Sequence, residues 1–232
     1  MDKNIIQMTR AEYTAAKNNR TLICPNVCKI TDESNHTEKL MANPITDIGI
    51  AALVNGVTTY YSREEWEALE VKPTDIGTYV ATSDGILVLH PTILTDQKWS
   101  SNTSVVVPGC FINGNGAPAK LDLAGYENTE AVLAAVQAGT IADAPAFTAA
   151  RALTFANGAT PFIPAAGQWD VIYNNITEIN ACRAALGQTL ITFGTFRTSS
   201  QYNAARAWSY NASGISYRDK DATISVVVVA LL

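Results

Sequence analysis

The residues able to do chemistry in this sequence are few and scattered. Two histidines occur, His36 and His90, and four cysteines, Cys24, Cys28, Cys110 and Cys182. A nucleophilic triad needs an imidazole within reach of a hydroxyl or thiol, and no Gly-x-Ser-x-Gly elbow presents such a serine. His90 ends a predicted strand just before Pro91 and reads as a strand-end side chain. Cys24 and Cys28 flank Pro-Asn-Val at a spacing zinc sites use, yet no second pair completes four ligands, so the thiols read as structural. The loop Asn113–Ala119, "NGNGAPA", lacks the third glycine and the correctly spaced helix of a dinucleotide loop. Asp122, Glu127, Glu130 and Asp143 are carboxylates that no spacing singles out for acid–base work. No catalytic residue, metal site or cofactor is expected.

The remaining chemistry is adhesive. Between Tyr202 and Ser225 the chain carries Tyr202, Tyr210 and Tyr217 among serines, asparagines, arginines and aspartates. Tyrosine offers a rigid ring and one hydroxyl at small entropic cost, and small polar residues add adaptable hydrogen bonds, a mixture typical of antibody paratopes. The plainer reading of the same letters is a polar β-meander with a solvated face. The segment runs straight into the apolar stretch Val226–Leu232, which reads as a buried strand.

Composition narrows the setting. Hydrophobic residues make up 47% of the 232, which is enough to bury a core and excludes disorder over most of the length. The net charge of −5, with Arg197, Arg206 and Arg218 spread among neutral residues, excludes a phosphate-binding patch and with it nucleic acid as partner. No apolar run is long enough for a membrane-spanning helix. The opening "MDKNIIQMTRAEY" has polar residues where a secretory leader would be apolar, so exposure outside the cell is expected by another route.

The elements that must position the adhesive segment follow from turns and periodicity. "TRAEY" (Thr9–Tyr13) and "SREEW" (Ser62–Trp66) are capping boxes, each opening a short helix. "GIAALVNGVTTYY" predicts a hairpin turning at Asn55-Gly56, and "TYVATSDGILVLH" a second one turning at Asp84-Gly85. Residues 1–95 thus read as a small α+β module, with turn-rich Pro91–Ser104 as its boundary. In the second part, 96–232, Val105–Val107 reads as a strand and Thr129–Gln137 as a helix capped by Thr129. Pro145 opens another helix, carrying Phe147, Ala150 and Thr154. Trp169, Ile172, Tyr173 and Ile176 form the clearest helical stripe, extended by Ile179, Cys182 and Leu186, with a possible break at Asn174-Asn175. Short strands follow Gly187, so the class is α+β.

One family matches these letters. "TPFIPAAGQWDVIYNNITEINACRAALG", then "RTSSQYNAARAWSYNASGISYRDKD" and "VVVVALL", resembles the C-type-lectin-fold domains of bacteria and phages. The positions that carry the resemblance are Pro164, Gly167, Trp169, Tyr173, Asn174 and Asn175, then Ser199, Ser200, Tyr202, Asn203, Ala207, Trp208, Gly214, Lys220, Val226 and Val229. "AGYENTEAVLAAVQAG" and "APAFTAARALTFANG" are similar to the gut-phage members, so the likeness spans roughly residues 100–232. Within the fold, the chain looks like the variable proteins of diversity-generating retroelements, which include phage tropism determinants. Arg197 stands where the family usually has tryptophan, Val227 where it has arginine, and Leu232 where it has phenylalanine. The Glu-Pro-Asn and Trp-Asn-Asp tripeptides of calcium-dependent sugar binding are absent.

The resemblance implies a C-type-lectin-like ligand-binding domain over 96–232, preceded by the α+β module of residues 1–95 as its assembly or docking part, with a hypervariable region at about 197–225. It implies a non-enzymatic receptor-binding protein at a phage tail-fibre tip, trimeric, whose partner is a host cell-surface protein or glycan. The alternatives are a bacterial surface adhesin and an enzyme of the formylglycine-generating type, for which Cys110 and Cys182 would be the candidate cysteines. The implied variable face is Tyr202, Asn203, Arg206, Ser209, Tyr210, Ile215, Tyr217, Arg218, Asp219, Asp221 and Thr223, all expected on one exposed side. Adenine-directed variation of Asn-type codons cannot produce Lys, Gln, Glu, Met or Trp. From Tyr202 to Ser225 only Trp208 and Lys220 belong to that set, which implies that those two are fixed scaffold. The C-terminal strand is then expected to return to the core beside the first strand of its domain.

Overall fold

The computed structural model describes residues 5–8, 27–30, 48–83, 85–192 and 194–232. The chain divides into two compact units, Met1–Thr46 and Asp47–Leu232. In the first, β1 (Ile5–Met8) pairs in parallel with β2 (Val27–Ile30). The capping box at Thr9–Tyr13, Cys24 and His36 lie outside the described residues.

The second unit opens with the predicted hairpin, β3 (Ile48–Val54) and β4 (Val57–Tyr61). Asn55 and Gly56 both have positive φ, 52° and 79°, as a tight two-residue hairpin turn requires. Next comes α1 (Arg63–Ala68) behind a complete capping box: Glu65 N–H donates to Ser62 Oγ at 3.1 Å, and Ser62 N–H to Glu65 Oε2 at 2.8 Å. The next hairpin is β5 (Thr74–Thr82) with β6 (Gly85–Gln97); Asp84 of its expected turn lies outside the described residues.

Five helices follow: α2 (Gly116–Ala119), α3 (Gly125–Gln137), α4 (Pro145–Arg151), α5 (Ala166–Asn174) and α6 (Ile176–Ala185). The last four strands are β7 (Phe196–Gln201), β8 (Arg206–Asn211), β9 (Gly214–Asp219) and β10 (Ile224–Leu231). The architecture is mixed α+β, with an eight-stranded sheet ordered β4-β3-β5-β6-β10-β7-β8-β9.

Strand β10 organises this sheet. It runs antiparallel to β6 from Leu87 to Gln97 and meets β7 in parallel at Ser225 and Phe196. Successive strand side chains alternate faces, and here both faces are buried. Val227 and Val229 join Phe162, Trp169, Ile172, Phe196, Trp208 and Tyr210. Val226 and Val228 join Trp99, Val107, Val132, Phe147 and Ile163.

Four expectations are corrected here. The boundary at residue 95 falls inside β6, because Ile93 and Leu94 are held in the ladder by Val227 and Val226. Pro91 is tolerated in that strand because β5 pairs β6 only as far as Leu89, so no partner on that side needs its missing N–H. Val105–Val107 is not a strand: its backbone is satisfied by side chains, Val107 by the Gln201 amide (3.0 Å each way) and Val105 O by Lys220 Nζ at 2.8 Å. Helix α3 starts one turn before Thr129, which is buried and donates its hydroxyl to Gly125 O rather than capping. Helix α4 ends at Arg151, leaving Thr154 beyond it and exposed.

The stripe after Pro164 does break at Asn175, between α5 and α6. Gly167 explains how α5 sits so close to the chain before α3: a Cβ there would lie 2.6 Å from the carbonyl oxygens of Lys120 and Asp122. The Trp169 ring is 2% exposed, stands 5.1 Å from Phe196 and donates its indole N–H to Arg197 O at 3.1 Å.

A chain beginning at Asp47 is expected to unfold in a single cooperative transition. A chain beginning at residue 96 loses most of β6 and exposes one long edge of β10, and is expected to be molten or insoluble. Calorimetry and near-ultraviolet circular dichroism on the two chains check this; cooperative melting of the shorter one contradicts it.

Candidate functional site

The tyrosine-rich segment folds into the β8–β9 hairpin and the turns that flank it. Ala212 and Ser213 form a two-residue turn, with Asn211 Oδ1 accepting from Ser213 N–H at 2.8 Å and Gly214 at φ 96°. The register places Arg206 opposite Asp219, Trp208 opposite Tyr217 and Tyr210 opposite Ile215. Directly opposed residues share a face, so these six line one side; Ala207, Ser209, Ser216 and Arg218 line the other.

On the first side Tyr202 stacks on Tyr217, with centroids 4.4 Å apart and planes 28° off parallel. The Arg206 guanidinium lies over the Tyr217 ring at 5.0 Å and its Nε donates to Asp219 Oδ1 at 3.0 Å. Beneath them Trp208 is buried, edge-on to Tyr202 at 5.0 Å, and donates its indole N–H to Asn113 O at 2.9 Å. The loop around Asn113 therefore forms a second wall, braced by Asn115 Oδ1 accepting from Ala117 N–H at the start of α2. The signal in "NGNGAPA" that bears on this wall is the Asn115 cap, which does not depend on the glycine spacing of a dinucleotide loop. A Cβ on Gly116 would touch Ile215 and Trp208 at 3.7 Å.

The expected face is only partly a face. Asn203, Tyr217, Arg218, Asp219, Asp221 and Thr223 are exposed, and Tyr202, Arg206 and Ile215 are half-buried. Ser209 and Tyr210 are buried and leave the set. Tyr210 falls inside because its strand position points at α5: its ring stacks on Trp169 at 5.9 Å and its hydroxyl donates to Asp170 Oδ1 at 3.1 Å. Burial first, then the adjacent Asp170 carboxylate, push that phenol well above its ordinary range. Ser209 lies on the opposite side of β8, the side of Ala207, which joins the core of Trp99, Val107 and Phe147. Arg218 shares that opposite side with Ser209, so the exposed residues do not all lie on one surface of the hairpin.

The platform is anchored by buried cations. Arg197 donates to Asp219 O at 3.2 Å and Ala222 O at 2.5 Å, and burial lowers its pKa to about 10. Lys220 is fully buried, with its ammonium 4.5 Å from the centre of the Trp99 ring. Its Nζ donates to Val105 O and Gln201 Oε1, both at 2.8 Å, and desolvation lowers its pKa to about 8. The two residues implied to be fixed, Trp208 and Lys220, are thus both interior. Ser200 Oγ donates to Asp122 Oδ2 at 2.5 Å and accepts from Ala166 N–H at 2.8 Å, while Asn128 Nδ2 donates to the same carboxylate oxygen at 2.9 Å. Ser199, Ser200 and Asp122 therefore tie β7 to α3 and α5.

The other candidates are separately engaged. His90 Nδ1 accepts from Thr92 N–H, so Nε2 carries the proton and donates to Thr154 O; burial lowers its pKa. Asp143 accepts from Ser101 N–H and Oγ, Glu130 pairs with Arg151, and Glu127 is exposed. Cys110 and Cys182 are buried free thiols, with pKa values pushed up by burial to about 12 and about 11. Cys28 lies in β2. Among the described residues no three metal-ligating side chains cluster, and no helix is long and apolar enough to cross a membrane.

No family model matches the chain, and no curated protein matches it. Among solved structures, a fimbrial protein from Bacteroides ovatus ATCC 8483 is similar at 13% identity and a TM-score of 0.44, over 62% of this chain and 35% of that one. The chain spans about a third of that protein's length.

Lys220 gives a pH prediction. Its folded pKa of about 8 lies below the unfolded value of 10.5. Between those values the unfolded state holds the proton and the folded state does not, so this group's contribution to stability rises with pH across the window. The neutral amine still has two N–H groups for Val105 O and Gln201 Oε1. Cys110 and Tyr210, both shifted upward, act in the opposite sense, so the variant difference is the informative quantity. The melting temperature of the natural protein minus that of Lys220→Met is expected to grow between pH 7 and about pH 9.5; a constant difference contradicts this.

Proposed function

We propose that the protein is a non-enzymatic receptor-binding protein whose β8–β9 hairpin, Tyr202 and the Asn113 loop form a ligand-binding face on a C-type-lectin-like domain. The observation that carries this reading is the division of labour within one short hairpin. Trp208, Tyr210 and Lys220 are interior, while Tyr217 is 40% exposed beside exposed Arg218, Asp219 and Asp221. Exposed aromatic and cationic side chains contribute little to a monomer, but buried against a partner they often carry most of the affinity. A platform of paired strands loses little entropy on binding. The antiparallel return of β10 to β6, the intervening helices and the β7–β8–β9 meander support the lectin-like plan.

The finer reading is a hypervariable protein of a diversity-generating retroelement, borne as a trimer at a phage tail-fibre tip and engaging a host-surface protein or glycan. The buried state of Trp208 and Lys220 favours it, since a diversified face needs invariant anchors beneath it. A bacterial surface adhesin uses the same geometry. Flanking DNA separates the two: a near-repeat of the variable region beside a reverse transcriptase and tail genes goes with the first, and secretion or pilus genes with the second.

Replacing Tyr217, Asp219, Asp221 and Thr223 together with alanine tests the face. The three polar positions each change stability by about 0.5 kcal/mol or less and the lost Tyr217 ring contacts add about 1 kcal/mol, so the domain should remain folded while attachment to host cells is lost. Full attachment by a folded quadruple variant removes the reading.

A further inference from the structure

Resting on that face being the binding surface, we infer that the partner contributes an extended polypeptide segment that adds as a strand to the outer edge of β9. Two independent features lead there.

The first is the state of the aromatic rings. A sugar ring binds tyrosine by lying on a free ring face. Here Tyr202 and Tyr217 stack on each other, Arg206 covers the Tyr217 ring, and Trp208 and Gly114 pack on Tyr202. With those ring faces engaged, the pair suits hydrogen-bonding groups and apolar side chains rather than a pyranose face.

The second is the backbone. Strand β9 is the last of the eight and, among the described residues, pairs only with β8. The two-residue turn closes with Asn211 opposite Gly214, so the N–H and C=O groups of Gly214, Ser216 and Arg218 point at β8. The Lys220 N–H donated to Ala205 O continues the same alternation. The groups of Ile215, Tyr217 and Asp219 point away. Asp219 O is taken by Arg197, and Tyr217 O receives only the neighbouring Arg218 side chain at 3.1 Å. Among the described residues no backbone group pairs with Ile215 or Tyr217 from outside.

An outward row of donors and acceptors is complementary to another strand, and main-chain pairing gives affinity while side-chain pockets give specificity. Charged residues commonly protect such edges. On β9 they are confined to Arg218 and Asp219, which leaves Gly214–Tyr217 without a charge. Main-chain pairing through this edge gives a modest affinity common to every version of the face, and the side chains beside it supply the further affinity that attachment to a particular host requires.

The test uses the whole chain, a display library of random linear peptides as probe, and a glycan array in parallel. Selected peptides should slow amide exchange at Ile215 and Tyr217 by roughly tenfold or more, and leave Ser216 and Arg218, already in the ladder, little changed. Ile215→Ala and Ile215→Pro both remove the side chain, but only the second removes the outward N–H, a loss edge strands tolerate. Peptide binding should persist in the alanine variant and weaken by about tenfold or more in the proline variant. Equal binding by the two, unchanged exchange at Ile215 and Tyr217, enrichment of no peptide, or binding to glycans alone overturns the inference. If the quadruple alanine variant loses host attachment while no peptide is enriched, the attachment reading stands and strand addition falls. If that variant attaches normally, both fall.

Discussion

Strand β10 has apolar side chains on both faces and strand partners on both edges, and the rest of the second unit is arranged around that fact. Five consecutive buried residues, Val226–Ala230, place apolar side chains on both faces of the sheet, so both faces need a covering layer. Helices α5 and α6 contribute to one layer and α3 and α4 to the other. The long strand β6 supplies one edge, and the start of β7 together with the Phe162 bridge supplies the other. Everything from Gly85 to Phe196 is folded so that its two ends meet β10, which is why a segment that reads as a linker becomes part of the central ladder.

The polar interior follows from the same arrangement. Helices packed onto both faces leave loop carbonyls buried at the sheet ends, and those groups need donors. Three long cations provide them. Arg183 donates to His90 O, Pro91 O and Thr189 O, Arg197 to Asp219 O and Ala222 O, and Lys220 to Val105 O and Gln201 Oε1. None of these hydrogen bonds goes to a carboxylate, so the cations are held by peptide dipoles, a glutamine amide and, for Lys220, the face of Trp99. Such groups are costly to desolvate and severe to lose, because removing one orphans several carbonyls at once. They fix loop positions more than they add stability. Two of the three lie directly under the proposed binding hairpin, so the fold's polar interior also sets the shape of its outer face.

The hairpin itself shows how one strand serves both ends. Along β8 the side chains alternate between two packed environments, and only the partner strand β9 and the turns carry exposed groups. Composition alone made Tyr210 and Tyr217 equivalent, yet one is locked between Trp169 and Asp170 and the other reaches solvent. The difference arises from β9 lying at the edge of the sheet, with no strand among the described residues beyond it.

Local signals fixed by nearest neighbours were legible in the sequence. The Asn55-Gly56 turn, the Ser62 capping box, Pro145 at a helix start, the Trp169 stripe with its break at Asn175 and the buried C-terminal run all depend on spacings of two to four residues. Trp208 and Lys220, which the family resemblance implied to be scaffold, are buried. Tertiary structure alone decided what depends on distant partners. Val105–Val107 has strand-like letters but takes its hydrogen bonds from Gln201 and Lys220, about a hundred residues away in the chain. Residues 91–97 read as turns until β10 pairs with them, and the Asn113 loop became a wall of the site only when Trp208 reached its carbonyl. Ser209 and Tyr210 were misplaced for the same reason: a strand's alternation is visible in one dimension, but which of its two faces is covered is set by elements that arrive from elsewhere in the chain.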